Sequence, residues 1–513
     1  MMRNHLFMGI FKRVIVSMRG LSDNKRKMMK FAGFIVCVLL VCQVIFPVFE
    51  SNSMQQGVSN EYDRFGKDTF DVILAGSSTI MYGIHPLQLY DEYGISSYSL
   101  TTAAQRIPLT YYLVKEALRE QHPQLVVIDV YYAGYEQTTS FDGHTHLVTD
   151  ALSFPEKLAC VTDVVPQQKQ ADFLFEFGTY HTRWENLSKA DFYGNPNRRG
   201  TYGAKAWYGS IPFDSFGPVI ETRAPLPENA DKYLRKTIEM CQENGVEVLL
   251  TLMPMDYNKV VENGGIDRAE WQKYWNGVQD IADEYGINYL NFMHCYDELQ
   301  FDPADSTDGG THLNAYSAET ITRYLGEYLK ENYTLEDVRE NPSYDFMRED
   351  FERYQEYKTE LELMSTKDLG DYLDLLKNYR SSRYTIFVSV KDIQGYALTQ
   401  DIIEKMINLG YEGGGILLDK QYHSFIGMIH GAKVVEMYGG DEALFYDGEI
   451  NRRKVFLSSR TLEQGNLSEI KIGAKDYSVN KRGLNFVLYD NQAEEVIDAV
   501  SFDTHVPEFT CSR

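Results

Sequence analysis

Two short segments, far apart in the chain, carry the residue types that nucleophilic ester chemistry needs. The first, Gly76-Ser77-Ser78-Thr79-Ile80, sets a small residue and hydroxyls directly after an apolar run. The second, Asp308-Gly309-Gly310-Thr311-His312-Leu313-Asn314, puts a carboxylate and an imidazole on one glycine-containing loop. A serine hydroxyl is a weak nucleophile alone; an imidazole that takes its proton activates it, and a carboxylate behind the imidazole fixes the tautomer. Asp308 orienting His312, and His312 activating a serine, would be such a relay, with Asp305 a competing choice of acid. Either segment alone reads better as an ordinary turn or surface loop; the two together are a much stronger signal, because their order is right.

A relay needs a rigid frame, and the sequence supplies one. Phe70 to Ala75, Leu125 to Val130 and Val246 to Leu252 are near-continuous apolar runs, the pattern of strands buried on both faces of a parallel sheet, and Ile287 to Phe292 is a weaker fourth. Helical patterns precede the later three: Leu109 to Glu120, Ala230 to Asn244 and Arg268 to Tyr285. Gly245 and Gly286 stand where helix C-caps belong, and a helix from about Ala315 to Lys330 can be capped by Asn314. Repeated helix-Gly-strand units predict an α/β three-layer fold, with Ser78 at the carboxyl end of its first strand, where open α/β sheets bind ligands.

The order of these parts, serine after the first strand and acid and imidazole just before the last helix, resembles the SGNH (GDSL-like) hydrolase family. Gly76-Ser77-Ser78 aligns with that family's Gly-Asp-Ser, which makes Ser78 the nucleophile, and the resemblance spans roughly residues 68 to 332. It implies a three-layer α/β/α domain with Ser78, His312 and Asp308 as catalytic residues. Two features depart from the pattern. Asp308 lies four positions before His312 rather than three, and the family's oxyanion-hole Gly and Asn are absent from Ser99 to Gln105 and from Val130-Tyr131-Tyr132. The backbone N–H of Ser78, a backbone N–H near Thr102 and the amide of Gln105 are the expected donors instead.

Other candidates rank lower. His144-Thr145-His146 has no third ligand at a metal spacing and reads as a polar loop, so no metal and no cofactor is expected. His181-Thr182-Arg183-Trp184 joins a cation to a flat aromatic; Arg183 and Trp184 could hold a sugar or an anionic group, or the Trp could be structural. Gly413-Gly414-Gly415 lacks the Lys-Ser/Thr of a phosphate loop and reads as a turn.

Charge and hydropathy set the location. The chain of 513 residues has 50 basic against 74 acidic side chains, a net charge of −24, which disfavours nucleic-acid binding. Residues 1–49 hold eight basic side chains and one acid, leaving the remainder near −31. Phe31 to Phe49 has Gln43 as its only clearly polar member and would span ~28 Å as a helix, close to a bilayer's hydrocarbon thickness. It is long for a cleaved signal peptide, and Val48-Phe49-Glu50-Ser51 is a poor cleavage site. An uncleaved signal anchor is expected, with a basic cytoplasmic tail over residues 1–30, a membrane helix over 31–49 and the rest extracytoplasmic. Six scattered cysteines form no CxxC pair, and no bridge is assigned.

Beyond the first domain, taken as residues 50–333, residues 334–379 lack strand runs and read as a helical connector with helices at Met347 to Met364 and Lys367 to Asn378, one apolar stripe on a charged surface. Residues 380–513 form a smaller, mainly β domain, with strands at Tyr384 to Val390, Gly415 to Leu418, Ala432 to Met437 and Leu484 to Tyr489, and a helix at Thr399 to Leu409. Arg482-Gly483-Leu484-Asn485 and Phe502-Asp503-Thr504 resemble signatures of the interleukin-like EMT inducer (ILEI/PANDER) domain, which implies a binding or spacing role.

Together these readings describe a membrane-anchored SGNH-like serine esterase or O-acyltransferase. Its expected substrate is an acylated cell-surface polysaccharide or glycan, and its resemblance to signal-anchored SGNH proteins implies a membrane-bound O-acyltransferase as partner. A non-catalytic surface protein that binds glycan or a protein partner through the same two domains is the competing reading.

Overall fold

The computed structural model describes residues 65–174, 201–209, 218–258, 267–299, 306–392, 398–412, 424–506 and 510–513, with isolated residues among 27–34 and at 62 and 211. The expected membrane span lies almost wholly outside the described residues, as do Asp305, Arg183, Trp184 and the segment 413–418. No helix among the described residues is long and apolar enough to cross a membrane.

The first domain is built on five parallel strands: β1 (Val72–Gly76), β2 (Ser97–Thr101), β3 (Leu125–Asp129), β4 (Glu247–Leu252) and β5 (Asn288–Asn291), in the order β2-β1-β3-β4-β5. Its helices are α1 (Ser78–Gly83), α2 (Pro86–Tyr93), α3 (Ile107–Ala117), α4 (Asp142–Thr149), α5 (Phe154–Val164), α6 (Glu228–Glu243), α7 (Arg268–Tyr285) and α8 (Ala315–Asn332). Alternate strand residues point to opposite faces, so an all-apolar strand buries two separate surfaces. Ile73, Ala75, Val126, Ile128, Val248 and Leu250 join one core with residues of α3, α6 and α7. Val72, Leu74, Leu125, Val127 and Leu249 join another with residues of α1, α2 and α8. This is the expected three-layer arrangement. α7 ends on Gly286 in the left-handed region at φ 65°, and Gly245, at φ 73°, follows the end of α6.

Two elements differ from expectation. β2, Ser97-Tyr98-Ser99-Leu100-Thr101, is too polar to read as a strand, yet all five residues are buried; the Ser99 and Thr101 hydroxyls bond each other at 3.0 Å. His144-Thr145-His146, expected in a loop, lies in α4.

The connector forms α9 (Asp345–Ser365) and α10 (Leu369–Leu376). α9 is more than a solvated amphipath, because its buried stripe mixes Met347 and Tyr354 with the polar Asp350 and Lys358. Each polar member reaches the first domain: Asp350 accepts from the Tyr202 hydroxyl at 2.9 Å, Lys358 pairs with Glu319, and the Tyr354 hydroxyl bonds His85 Nδ1 at 2.6 Å. Near the other end of α9, the Leu363 carbonyl accepts from Arg513 at the close of the second domain at 2.9 Å.

That domain carries one helix among its described residues, α11 (Gln400–Leu409), and ten strands: β6 (Tyr384–Lys391), β7 (Ser424–His430), β8 (Lys433–Gly440), β9 (Leu444–Ile450), β10 (Arg453–Arg460), β11 (Leu467–Ile472), β12 (Lys475–Asp476), β13 (Gly483–Asp490), β14 (Glu495–Asp503) and β15 (Thr510–Ser512). β6 is its axis, pairing with β13 on one side and β7 on the other. Ile386 and Val388 enter a core with α10 and α11, whereas Phe387 enters a second core on the opposite face. The motif residues hold this sheet together: Arg482 pairs with Asp503 at 2.7 Å, and Asn485 bonds the Lys481 carbonyl at 2.8 Å.

His85 is fully buried, and its imidazole is pushed from its ordinary 6.5 down to about 3, by burial first and the charge of Lys358 second. A folded-state value below the unfolded one means the unfolded chain binds the proton more readily, so stability is full above pH 6.5 and falls as the pH drops toward 3. Thermal unfolding followed by circular dichroism should therefore give a midpoint that declines across this interval. It should decline less steeply in His85→Gln; an equal slope in the two proteins would exclude this assignment.

Candidate active site

β1 is central in the order β2-β1-β3, and the chain leaves its carboxyl end directly into α1, whose first residue is Ser78. The turn is held from below by Asp129, the last residue of β3. Its Oδ2 accepts from the Ser77 hydroxyl at 2.8 Å, the Ser77 N–H at 3.2 Å and the Thr79 hydroxyl at 2.8 Å, while Oδ1 accepts from the Tyr131 N–H at 3.1 Å. Burial raises the Asp129 carboxyl above the ordinary carboxylate value, against these hydrogen bonds, which lower it. The strands approach so closely that a Cβ on Gly76 would stand 2.3 Å from the Asp129 Cβ, which is why no larger residue fits there. With Ser77 and Thr79 tied inward, Ser78 between them is left to point elsewhere.

It points at His312. Ser78 Oγ lies 2.8 Å from His312 Nε2, and His312 Nδ1 lies 2.6 Å from Asp308 Oδ2. Asp308 Oδ1 accepts the backbone N–H groups of His312 at 2.8 Å and Thr311 at 3.2 Å, so the loop folds around its own acid. Burial works to raise the Asp308 carboxyl, but the hydrogen bond from His312 and the two backbone donors outweigh it and hold the group below its ordinary value. An ionised Asp308 requires the proton on Nδ1 and leaves Nε2 to accept from Ser78. Side chains at 26% and 32% exposure put His312 and Asp308 within reach of a substrate from solvent.

The loop is anchored by a residue that belongs to neither motif. Arg268, the first residue of α7 and 1% exposed, donates to the carbonyls of Gly310 and Asp256, to the Thr311 hydroxyl at 2.9 Å and to Tyr131 at 3.1 Å. Its only sequence signal is a cation opening an amphipathic helix, which surface arginines share. Asp129 is likewise hidden as the polar end of an apolar run. Tyr82 completes the surroundings, with its ring centroid 4.9 Å from that of His312.

The residues expected as oxyanion donors lie in the turn after β2. The Thr102 hydroxyl donates to Gln105, the Gln105 amide donates to Thr110 at 2.9 Å, and the Thr102 N–H bonds the Gly76 carbonyl at 3.4 Å. Both side chains are buried and help fix the turn after β2, where the Thr102 hydroxyl and one of the two Gln105 amide N–H groups are already bonded. The Ser78 N–H, in the first turn of a helix, has no acceptor within that helix. His144 and His146, two apart on α4, cannot share a face, and the His146 ring stacks on Phe173 at 4.0 Å. No cluster of three His, Cys, Asp or Glu suited to a metal occurs among the described residues.

No known protein family and no curated protein matches the chain. Solved structures resemble part of it. One described as an acylhydrolase from Bacteroides fragilis aligns over 55% of this chain and 98% of its own at 10% identity, with a TM-score of 0.30. A lipolytic protein of the G-D-S-L family from Desulfitobacterium hafniense aligns over 50% and 97% at 11% identity and a TM-score of 0.26. An acetyl xylan esterase, AlAXEase, aligns over 51% and 98% at 11% identity and a TM-score of 0.28. Likenesses this distant leave the reading of the site to its own geometry.

Asp129→Asn preserves shape but replaces the acceptor for three converging donors with an amide that can meet at most part of that demand. Stability should fall by about 1 to 3 kcal/mol, measured by denaturant unfolding. Reaction of Ser78 with a fluorophosphonate should slow in protein that remains folded, because the turn loses its fixed geometry; unchanged stability and labelling would refute the anchoring role.

Proposed function

We propose that the chain is a membrane-anchored, extracytoplasmic serine esterase or O-acyltransferase of the SGNH-like kind, acting on acyl esters of cell-envelope polysaccharide. The observation that carries the catalytic part is the unbroken relay from Ser78 through His312 to Asp308, at 2.8 and 2.6 Å. The anchor rests on the basic tail and apolar run of the N-terminal sequence, and the polysaccharide on the resemblance named above.

In this mechanism Ser78 Oγ attacks the ester carbonyl carbon while His312 Nε2 takes the hydroxyl proton. Asp308 stabilises the imidazolium and keeps its proton on Nδ1. The carbonyl oxygen, now negative, receives the Ser78 N–H. Collapse expels the alcohol, which takes the proton from Nε2, and leaves an acyl group on Ser78. His312 then deprotonates the second nucleophile. Water as acceptor gives an esterase; a sugar hydroxyl gives a transferase. The second domain, with its ILEI-like motifs tied into its own sheet, serves as a contact module for glycan or partner, and a membrane-bound O-acyltransferase fits as acyl supplier.

Detergent-solubilised full-length protein treated with a fluorophosphonate probe should be labelled at Ser78, and Ser78→Ala should abolish the labelling. His312→Ala should slow it by about 10²- to 10⁴-fold, the range for loss of a positioned general base. A folded wild type that stays unlabelled, or label persisting in Ser78→Ala, would shift the function to glycan binding without catalysis.

A further inference from the structure

Two arginines are buried at the carboxyl end of the first sheet, and they differ in one respect. Arg268 sets both terminal nitrogens on acceptors and leaves only Nε without one. Arg106, 7% exposed, leaves both Nε and Nη1 buried without a hydrogen-bond acceptor among the described residues. Its guanidinium carbon lies 3.9 Å from the ring centre of Tyr132 and 3.6 Å from that of Tyr135. No carboxylate pairs with it among the described residues, although the chain has 74 acidic side chains. Aromatic faces stabilise a desolvated cation but cannot accept its in-plane N–H groups, which in proteins are almost always paired when buried.

The topology puts this cation, two of its nitrogens unmet, in a turn next to the one that bears Ser78. Arg106 is the N-cap of α3, in the turn after β2, and Tyr132 and Tyr135 follow β3. In the order β2-β1-β3 these two turns flank the one that bears Ser78. α4 adds His144, whose Nδ1 is also buried without a partner and whose imidazole is held below its ordinary value, by burial first and by the charge of Arg106 second.

We propose that Arg106, walled by Tyr132 and Tyr135 and backed by His144, is a subsite for a single carboxylate on a sugar that carries the ester attacked by Ser78. This deepens the esterase reading and rests on it for the ester, while the anion site stands on its own observations. A guanidinium presents a planar fork of N–H donors that matches a carboxylate. With the part after residue 49 near −31, a densely charged polymer is repelled as a whole, so the site suits an isolated acidic sugar rather than a continuous polyanion.

The test uses full-length protein in detergent and three probes: sodium glucuronate, glucose and inorganic phosphate. Calorimetry should detect glucuronate binding to wild type and none of glucose at equal concentration. Binding should weaken at least tenfold in Arg106→Gln and less in Arg106→Lys, which keeps the charge and stands in if the Gln variant does not fold. Glucuronate should also slow fluorophosphonate labelling of Ser78 in wild type. Loss of folding stability without loss of glucuronate binding would make Arg106 structural and overturn the proposal, as would absent glucuronate binding in folded wild type. Phosphate binding without glucuronate binding would reduce the site to one for free inorganic phosphate, which also overturns it. Arg106-dependent glucuronate binding in a protein whose Ser78 never labels would keep the anion site and reject the esterase reading.

Discussion

Asp129 is a carboxylate shut away from water directly beneath the turn that bears Ser78, and the geometry of the site follows from how its charge is satisfied. An ionised carboxyl in a core is tolerated only when donors surround it. Here three of the four come from the two residues on either side of Ser78. That demand pulls Ser77 and Thr79 inward and excludes any side chain at position 76. The serine is presented to His312 because its neighbours are held elsewhere.

The other half of the relay is built by a second buried charge. Arg268 gathers the Gly310 carbonyl, the Thr311 hydroxyl and Tyr131 into one network, and Tyr131 follows Asp129 closely in the turn after β3. The supports of Ser78 and His312 thus meet at that turn. Tyr131 donates its N–H to Asp129 and offers its hydroxyl to Arg268, so displacement of either half is transmitted to the other through one residue. Arg106 lies nearby against Tyr132 without such a network. In the same setting, Arg268 sets both terminal nitrogens on protein acceptors and leaves only Nε unmet, whereas Arg106 leaves both Nε and Nη1 unmet.

How much of this could be read from sequence depended on the kind of signal. The strands with continuous apolar runs were legible because burial on both faces leaves no polar positions, and the helices between them because their stripes end on Gly245 and Gly286. β2 was not legible: its Ser and Thr hydroxyls are satisfied inside the fold, a pairing no local pattern displays. The partners of Thr102 and Gln105, which are each other, Thr110 and Gly76, were hidden for the same reason. The Asp308 to His312 spacing departs from the family pattern, yet Asp308 binds the backbone of Thr311 and His312 as well as the imidazole, so the turn closes around the acid. Asp129 and Arg268 escaped notice because a polar residue at a strand end and a cation at a helix start are common and usually exposed.

The connector shows why an amphipathic pattern underestimates a helix that has to join two domains. A stripe with Asp350 and Lys358 at helical spacing from Met347 and Tyr354 reads as a half-solvated face, because charged residues are rarely buried without partners. The partners are supplied from distant sequence, by Tyr202, His85 and Glu319, and burial of the whole stripe follows from them. Polar pairs of this type fix the register of α9 on the first domain more narrowly than apolar contact would, since a shift by one turn would leave each charge unpaired. With Leu363 bonded to Arg513 near its far end, α9 gives the second domain a defined place relative to the sheet that bears Ser78.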